Sequence, residues 1–151
     1  MKLRKADTQD LARVASWFHS QAEATNWGGP RVSYPIELDN LVREIDWAGS
    51  EAHVLEDNGE LLGFIQVMDN DGFNHICRVA IAPHRRGEGL GETLMKAYLE
   101  GTGAEGRKFS LRVYQNNLPA VNLYRKLGFR VAEEDRPPGN GGLLMTKIVD
   151  I

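Results

Sequence analysis

The sequence has few of the features that mark disulfide-rich, membrane-spanning or secreted proteins. Cys77 is the only cysteine among 151 residues, which excludes an internal disulfide and any Cys-x-x-Cys metal or redox motif. The longest mostly apolar run, residues 61–68, is far shorter than the roughly 20 residues that span a bilayer. The N-terminus is charged from its second residue and lacks the apolar stretch of a signal peptide. We therefore expect a cytoplasmic protein with no membrane partner and no metal.

The sequence also lacks a large excess of positive charge. It has 18 Lys and Arg against 21 Asp and Glu, a formal net charge of −3, whereas a dedicated nucleic-acid-binding domain is usually strongly basic. We therefore expect no nucleic-acid partner. The charges are unevenly divided, because residues 1–75 contain 6 basic and 13 acidic side chains and residues 76–151 contain 12 and 8. A chain of this length normally forms one domain, so we predict a single domain over residues 1–151.

The spacing of apolar residues predicts an α+β fold around one mixed sheet. Asp7 or Thr8 caps a first helix, and a loop of about a dozen residues separates it from a second helix that starts near Leu38. Asn58-Gly59 predicts the turn of a β-hairpin, and Gly128 ends the last helix. The predicted order is β-α-α-β-β-β-α-β-α-β-β. Its later strands cover residues 52–56, 61–68, 76–82, 108–113, 129–132 and 143–148.

The most informative segment is a turn with glycine at every second position. It follows the strand over 76–82 and contains Gly87, Gly89 and Gly91, where a helix begins. Glycines let backbone N–H groups converge, and a helix N-terminus adds partial positive charge, so the turn suits a phosphate. The alternative is a tight connection with no ligand. No lysine follows Gly91, which argues against a nucleoside-triphosphate P-loop, and the glycine spacing disfavours a dinucleotide fingerprint.

Two motifs in order resemble signatures of the GNAT superfamily of acetyl-coenzyme A dependent N-acetyltransferases. Residues 86–91 are similar to its Arg/Gln-x-x-Gly-x-Gly/Ala loop, and residues 117–129 are similar to its Asn-x-x-Ala-x-x-Leu-Tyr-x-x-x-Gly-Phe segment. The resemblance implies a GNAT-like sheet flanked by helices, in which a bulge splays the fourth strand from the fifth. It also implies acetyl-coenzyme A as the acetyl donor, and such domains often form homodimers.

The resemblance assigns the coenzyme contacts. Val79 and Ile81 would hold the pantetheine through backbone groups, while Asn117 and Tyr124 would flank the sulfur, with Tyr124 as proton donor. The alternatives are that Asn117 is only a helix cap and that Tyr124 is a core aromatic. The pyrophosphate would be bound by backbone groups of Arg86, Gly87, Gly89, Gly91 and Glu92.

The general base is assigned less directly. Arg112 stands where some GNAT members have a glutamate, whereas His75 falls near the position where others have a glutamate or histidine. His75 lies four residues before Val79, on the same face of the predicted strand. Its ordinary pKa near 6.5 suits a base at neutral pH. The alternative is a surface histidine at the start of a strand.

The acceptor amine is expected between the first two helices, where GNAT proteins vary with their substrate. Glu23, Trp27 and Tyr34 are the candidate contacts there, and Trp27 with Glu23 would offer a ring face and a carboxylate to a cationic amine. The alternative is that Trp27 packs under the loop. We predict an N-acetyltransferase for a small-molecule or peptide amine, positively charged or neutral given the acidic first half. The other hypothesis is an acyl-coenzyme A binding or sensor module without turnover.

Overall fold

The computed structural model describes residues 1–101, 107–133 and 142–149, which form a mixed sheet with helices on both faces. The sheet order is β1-β2-β3-β4-β5-β7-β6. Every neighbouring pair is antiparallel except β4 and β5, which are parallel. The strands are β1 (Lys2–Lys5), β2 (Ser50–Asp57), β3 (Glu60–Asn70), β4 (Phe73–Ile81), β5 (Lys108–Val113), β6 (Arg130–Glu133) and β7 (Leu143–Ile148).

Helices cover the two faces of the sheet and create two cores. The helices are α1 (Thr8–Ala15), α2 (Gln21–Gly28), α3 (Leu38–Glu44), α4 (Leu90–Leu99) and α5 (Leu118–Lys126). On one face, buried residues of α1, α2 and α3 such as Leu11 and Leu41 pack against Phe64 of β3. On the other face, Leu94 of α4 packs with Phe109 of β5. The GNAT-like α+β fold expected from the two motifs is therefore present.

Two tight turns connect the central strands β2, β3 and β4. Asn58 and Gly59 between β2 and β3 have φ of 49° and 83°, and Asp71 and Gly72 between β3 and β4 have φ of 56° and 87°. Two successive positive φ values are those of the hairpin turns that match strand twist. The predicted hairpin is confirmed. Most of the long loop predicted before the last strand, residues 134–141, lies outside the described residues.

The predicted loop between the first two helices is wrong, because it contains α2. The Ser20 hydroxyl accepts from the backbone N–H of Glu23 at 3.1 Å, and the Glu23 carboxylate accepts from the backbone N–H of His19 at 2.7 Å. This reciprocal capping starts a helix of only two turns that buries Ala24 and Trp27. Its apolar stripe is too short for periodicity to reveal, but Ser20-x-x-Glu23 is a capping signal in the sequence.

The strands β4 and β5 separate soon after they meet. Within the described ranges, their pairs are limited to Asn74 with Phe109 and His75 with Ser110, at the start of β4. Further along, β4 holds one extra residue opposite β3, since Phe64 and Gln66 pair with Ala80 and Cys77. Arg78 lies in this bulge with φ of 48°. The bulge and the splay implied by the resemblance are both present.

Candidate active site

The N-terminus of α4 presents backbone N–H groups that no side chain caps. Asp7, Ser20 and Asn117 cap α1, α2 and α5 with their side chains, whereas α4 starts from Gly89 without such a cap. The first backbone bond inside α4 runs from the N–H of Thr93 to the carbonyl of Gly89, at 3.2 Å. The N–H groups of residues 90–92 are therefore free for an anion at the positive end of the helix.

Glycine at the positions before α4 and glycine inside α4 have different structural explanations. Gly87 and Gly89 have φ of 81° and 77°, which side chains rarely adopt. Gly91 is helical, and a Cβ built there meets no heavy atom within 4 Å. Backbone conformation thus accounts for the first two glycines. Neither conformation nor packing accounts for Gly91, which leaves open space beside the free N–H groups.

Two charged side chains border this turn. The Arg86 guanidinium donates to the Ile81 carbonyl at 3.4 Å. The Glu92 carboxylate receives bonds from Lys126 at 2.9 Å and Lys96 at 3.2 Å, and these hold its pKa below the ordinary value. Glu92 is therefore charged and already bound to two lysines, so its backbone N–H is the part that can serve an anion.

Three cavities adjoin one another along α2, and Asn26 and Trp27 line all of them. Cavity A, of about 390 Å³, includes Glu23, Val79, Ile81 and Arg86. Cavity B, of about 200 Å³, lies in the gap between β4 and β5 and includes Val79, Leu111, Arg112 and Tyr124. Cavity C, of about 760 Å³, includes Met68, His75, Cys77, Arg78 and Tyr114. Together they form a path from Arg86, just before the glycine turn, through the gap to His75.

Backbone groups of β4 border this path. Beyond His75, β4 pairs with β3 on one side, and on the other side no strand of the described residues pairs with it. Backbone N–H and C=O groups that face such a gap need water or a ligand as partner. Val79 and Ile81 lie in this stretch and line cavity A, as their predicted role requires.

His75 lies where the gap begins. Its Nδ1 is 2.8 Å from the hydroxyl oxygen of buried Ser110, its neighbour on β5. Burial and, to a smaller extent, the Arg112 charge lower the pKa of His75 below 6.5. The imidazole is therefore neutral at pH 7, and it lines cavity C.

Tyr124 and Asn117 differ in what their side chains do. Tyr124 lines cavity B and packs edge-on against Phe129, with ring centroids 6.0 Å apart. Burial raises the pKa of Tyr124, so its hydroxyl stays protonated. The exposed Asn117 side chain accepts from the backbone N–H of Ala120 at 3.4 Å, which makes it the cap of α5. The structure thus brings Tyr124, but not the Asn117 side chain, into the path.

Of the three predicted acceptor contacts, Trp27 and Glu23 line the same cavity, whereas Tyr34 lies apart from it. Trp27 is buried, stacks on Phe18 with centroids 4.7 Å apart, and donates its indole N–H to the Arg78 carbonyl at 3.0 Å. Its packing role is thus the one the structure shows, although its edge lines the cavities. Glu23 lies in cavity A together with Trp27, and its carboxylate also caps α2. Tyr34 is exposed in the loop after α2 and lines none of cavities A, B and C.

Sequence reasoning missed Arg78 and Gln66. The Arg78 guanidinium donates from Nε to the Gly28 carbonyl and from one terminal nitrogen to Gln66 Oε1, both at 2.8 Å. Buried Gln66 donates to the Ile45 carbonyl at 2.7 Å and to the Ser50 hydroxyl at 2.8 Å. These bonds tie the bulge to the end of α2. Polar residues inside the apolar runs of β3 and β4 were the available signal, because buried polar groups require partners.

Among residues 1–101, 107–133 and 142–149, no three His, Cys, Asp or Glu side chains come together as a metal site would require. No helix in that part of the chain has the length and apolar character to cross a membrane.

Comparisons with known proteins agree with this geometry. Residues 13–129 match the profile of the acetyltransferase (GNAT) family. The chain is 30% identical over 134 residues to the peptidyl-lysine N-acetyltransferase YiaC of Escherichia coli (strain K12), covering 87% of this chain and 84% of that protein. It is 33% identical to the mycothiol acetyltransferase of Corynebacterium glutamicum (strain R), over 87% of this chain but 46% of that longer protein.

A solved structure extends the agreement to the fold. A chimera of the spermidine N-acetyltransferase SpeG from Vibrio cholerae and hSSAT superposes with a TM-score of 0.74 at 25% identity. The superposition covers 98% of this chain and 96% of that one.

Proposed function

The chain belongs to the GNAT family of acetyltransferases, and on that premise we propose that it transfers an acetyl group from acetyl-coenzyme A to a primary amine by direct attack. The observation that carries the proposal is the path of cavities A, B and C. It begins beside Arg86, just before the glycine turn, passes Tyr124 between the splayed strands and ends at His75. The relatives named above for peptidyl-lysine and spermidine support an amine acceptor.

The residues along the path fit acetyl-coenzyme A. Backbone N–H groups of Arg86, Gly87, Gly89, Gly91 and Glu92 would bind the pyrophosphate, and the open space at Gly91 leaves room for it. Backbone groups of Val79 and Ile81 would bind the pantetheine amides. When bound there, acetyl-coenzyme A supplies a thioester carbon that an amine can attack.

His75 is the proposed general base. An alkyl amine with a pKa near 10.4 is almost entirely protonated at pH 7, so a proton must leave before attack. His75 is neutral at this pH and lies in cavity C, where an acceptor would enter. If its Nδ1–H donates to Ser110, the Nε2 lone pair is free to take the proton, directly or through water. Ser110 then fixes the tautomer that the role requires.

Tyr124 is the proposed donor to the departing sulfur. Its hydroxyl is protonated, and it lines the gap in which the thioester would lie. Because a thiol has a pKa near 8.5, full proton transfer from a tyrosine with a raised pKa is uphill. Tyr124 therefore acts by donating a hydrogen bond, and the thiolate takes its final proton from solvent. Asn117 contributes by capping the helix that carries Tyr124.

Two measurements test the proposal. Calorimetry with acetyl-coenzyme A should show binding, and a panel of amines should yield coenzyme thiol and acetylated amine in equal amounts. Binding without thiol release from any amine would instead support the sensor hypothesis, and absence of binding would reject both. The cytoplasmic location, the single domain and the homodimer stay predictions, which fractionation and light scattering would test.

A further inference from the structure

Cavity C contains one charged side chain among the residues that line it, and that side chain is Arg78. His75, also in its lining, is neutral at pH 7. Arg112 adds a second positive charge in the lining of adjoining cavity B. No carboxylate in the described part of the chain lies within 4.0 Å of either guanidinium. The interior of the path is thus positive where the acceptor would enter.

Arg78 differs in its partners from the ion-paired arginines Arg4 and Arg85. Arg4 pairs with Asp10 at 2.8 Å and Arg85 pairs with Glu60 at 2.8 Å, so their charges are balanced. Arg78 is half-buried but is held by neutral oxygens, those of the Gly28 backbone and the Gln66 amide. These bonds fix the guanidinium without an ion pair to any carboxylate of the described residues. A partly desolvated cation of this kind gains more from an anionic ligand than a solvated one does.

One edge of the Arg78 guanidinium remains available. Its second terminal nitrogen donates to no described residue and lies 4.0 Å from the position that a Cβ on Gly29 would occupy. Gly29 itself lines cavity C. Among the described residues, the only buried side-chain polar atom without a partner is the Tyr98 hydroxyl, so this nitrogen of Arg78 is reachable by solvent.

The acidic first half of the chain supplies no carboxylate to the lining of cavity C, although Glu44 and Asp46 line a neighbouring cavity that also includes Arg78. Asp57 pairs with the N-terminal amine at 3.3 Å, Glu60 pairs with His84 at 2.8 Å, and Glu44 accepts from the Ser33 hydroxyl at 2.7 Å. None of these carboxylates lines cavity C. The division of charge along the sequence therefore does not describe the charge in cavity C, whose lining contains no carboxylate for a cationic amine.

We propose that the acceptor carries a carboxylate near its amine, as an amino acid does, and that the free edge of Arg78 binds this carboxylate in cavity C. This inference rests on the proposed acetyl transfer for its biological meaning, but the binding of a carboxylate can be measured without turnover. Arg78 would thereby act as a specificity-determining residue. Its hold on α2 and on Gln66 would keep the guanidinium in place before the acceptor arrives.

Cys77 offers a direct probe of cavity C. It is the only cysteine of the chain, it lines the cavity, and its sulfur is 3.8 Å from a terminal nitrogen of Arg78. Iodoacetate and iodoacetamide both alkylate a thiolate with loss of iodide, and they differ in carrying a carboxylate or a neutral amide. The ratio of their rates, divided by the same ratio for a small free thiol, measures how strongly the cavity favours a carboxylate. The thiolate fraction cancels in this ratio.

The variants Arg78→Gln and Arg78→Lys separate charge from structure. We expect the normalised iodoacetate preference of the natural protein to exceed that of Arg78→Gln by about five- to tenfold, the latter factor equal to about 1.4 kcal/mol. Arg78→Lys should keep most of the preference, and added salt should reduce it in the natural protein. An equal iodoacetate preference in the natural protein and in Arg78→Gln would overturn the proposal. If Arg78→Gln does not fold, a preference in the natural protein that salt does not change would overturn it instead.

A turnover assay then links the cavity to the acceptor. Amino acids and their primary amides, compared at equal concentrations of neutral amine, should differ in KM by about fivefold or more in favour of the carboxylates. Arg78→Gln should remove the difference with a smaller effect on kcat. Better turnover of the amides would contradict the assignment of Arg78. Failure of every amine to release thiol would count against the proposed function, while the alkylation ratio would still decide whether cavity C binds carboxylates.

Discussion

Replacing Gly91 by alanine should stabilise the free protein and weaken its binding of acetyl-coenzyme A. The stability term follows from the helix, because Gly91 has helical backbone angles and a methyl group there meets no heavy atom within 4 Å. Replacing glycine by alanine in a helix interior raises the free energy of unfolding by roughly 0.5–1 kcal/mol. Because Gly91 lies in the first turn of α4, we expect a gain at the lower end of that range. The added methyl group also stands beside the free N–H groups of α4.

The binding term has the opposite sign. If the pyrophosphate lies against those N–H groups, a methyl group at Gly91 occupies part of its space, and overpacking of one methyl typically costs about 1–3 kcal/mol. We therefore expect the dissociation constant to rise by roughly five- to 150-fold, since tenfold is about 1.4 kcal/mol. Urea denaturation of the free protein and calorimetry with acetyl-coenzyme A measure the two terms separately.

Two comparison variants make the result decisive. Ala97→Gly lies in the same helix, away from the turn, and should lower stability by roughly 0.5–1 kcal/mol while leaving coenzyme affinity unchanged. Gly89→Ala has the same open space but φ of 77°, so it should lose stability as well as affinity. Unchanged affinity in Gly91→Ala, together with its higher stability, would refute the placement of the pyrophosphate.

Three further predictions concern the side chains of the path. The acid limb of kcat/KM should have its midpoint below pH 6.5, because His75 must be neutral and burial lowers its pKa; Arg112→Gln should move that limb to higher pH by removing a neighbouring positive charge. A pH–rate profile checks both. If Arg112→Gln leaves the acid limb where it is and His75→Ala retains the limb, His75 is excluded as the base. Tyr124→Phe should lower kcat about 10²-fold in a thiol-release assay at unchanged coenzyme affinity; equal rates would remove Tyr124 from the chemistry. Trp27→Phe should lower the free energy of unfolding by about 1–2 kcal/mol because the Arg78 carbonyl loses its donor, whereas Trp47→Phe, whose indole N–H donates to none of the described residues, should lose less in the same urea titration.

Local signals were sufficient for much of the fold. Asn58-Gly59 fixed the hairpin because few other dipeptides adopt two positive φ values, and Gly128, with φ of 102°, ended α5 for the same reason. The strands over 108–113 and 143–148 have the predicted bounds, since each is a compact apolar run between polar segments. Such features depend on a few neighbouring residues, and those are visible in one sequence.

The helix α2 and the acceptor side were less predictable for a physical reason. A helix of two turns has too few buried positions to show a period, and α2 buries only Ala24, Trp27 and Gly28. The roles of Trp27 and Glu23 then depended on which groups of distant strands approached them. Trp27 is held by a residue 51 positions away along the chain, and no local pattern specifies that contact.

The same long-range contacts explain how the bulge can hold Arg78 in a conformation that an L-residue rarely adopts. A left-handed backbone angle on a residue with a side chain costs roughly 1–2 kcal/mol, so other contacts must favour it. Trp27 satisfies the Arg78 carbonyl, Gly28 and Gln66 receive its guanidinium, and Gln66 is itself fixed by Ile45. The bulge that opens the gap for the thioester is therefore stabilised by the side chain that we assign to the acceptor. The donor site and the acceptor site therefore both depend on Arg78. Because Arg78 would contact the acceptor directly and the coenzyme only through the bulge, its loss should raise the acceptor KM more than it weakens coenzyme affinity.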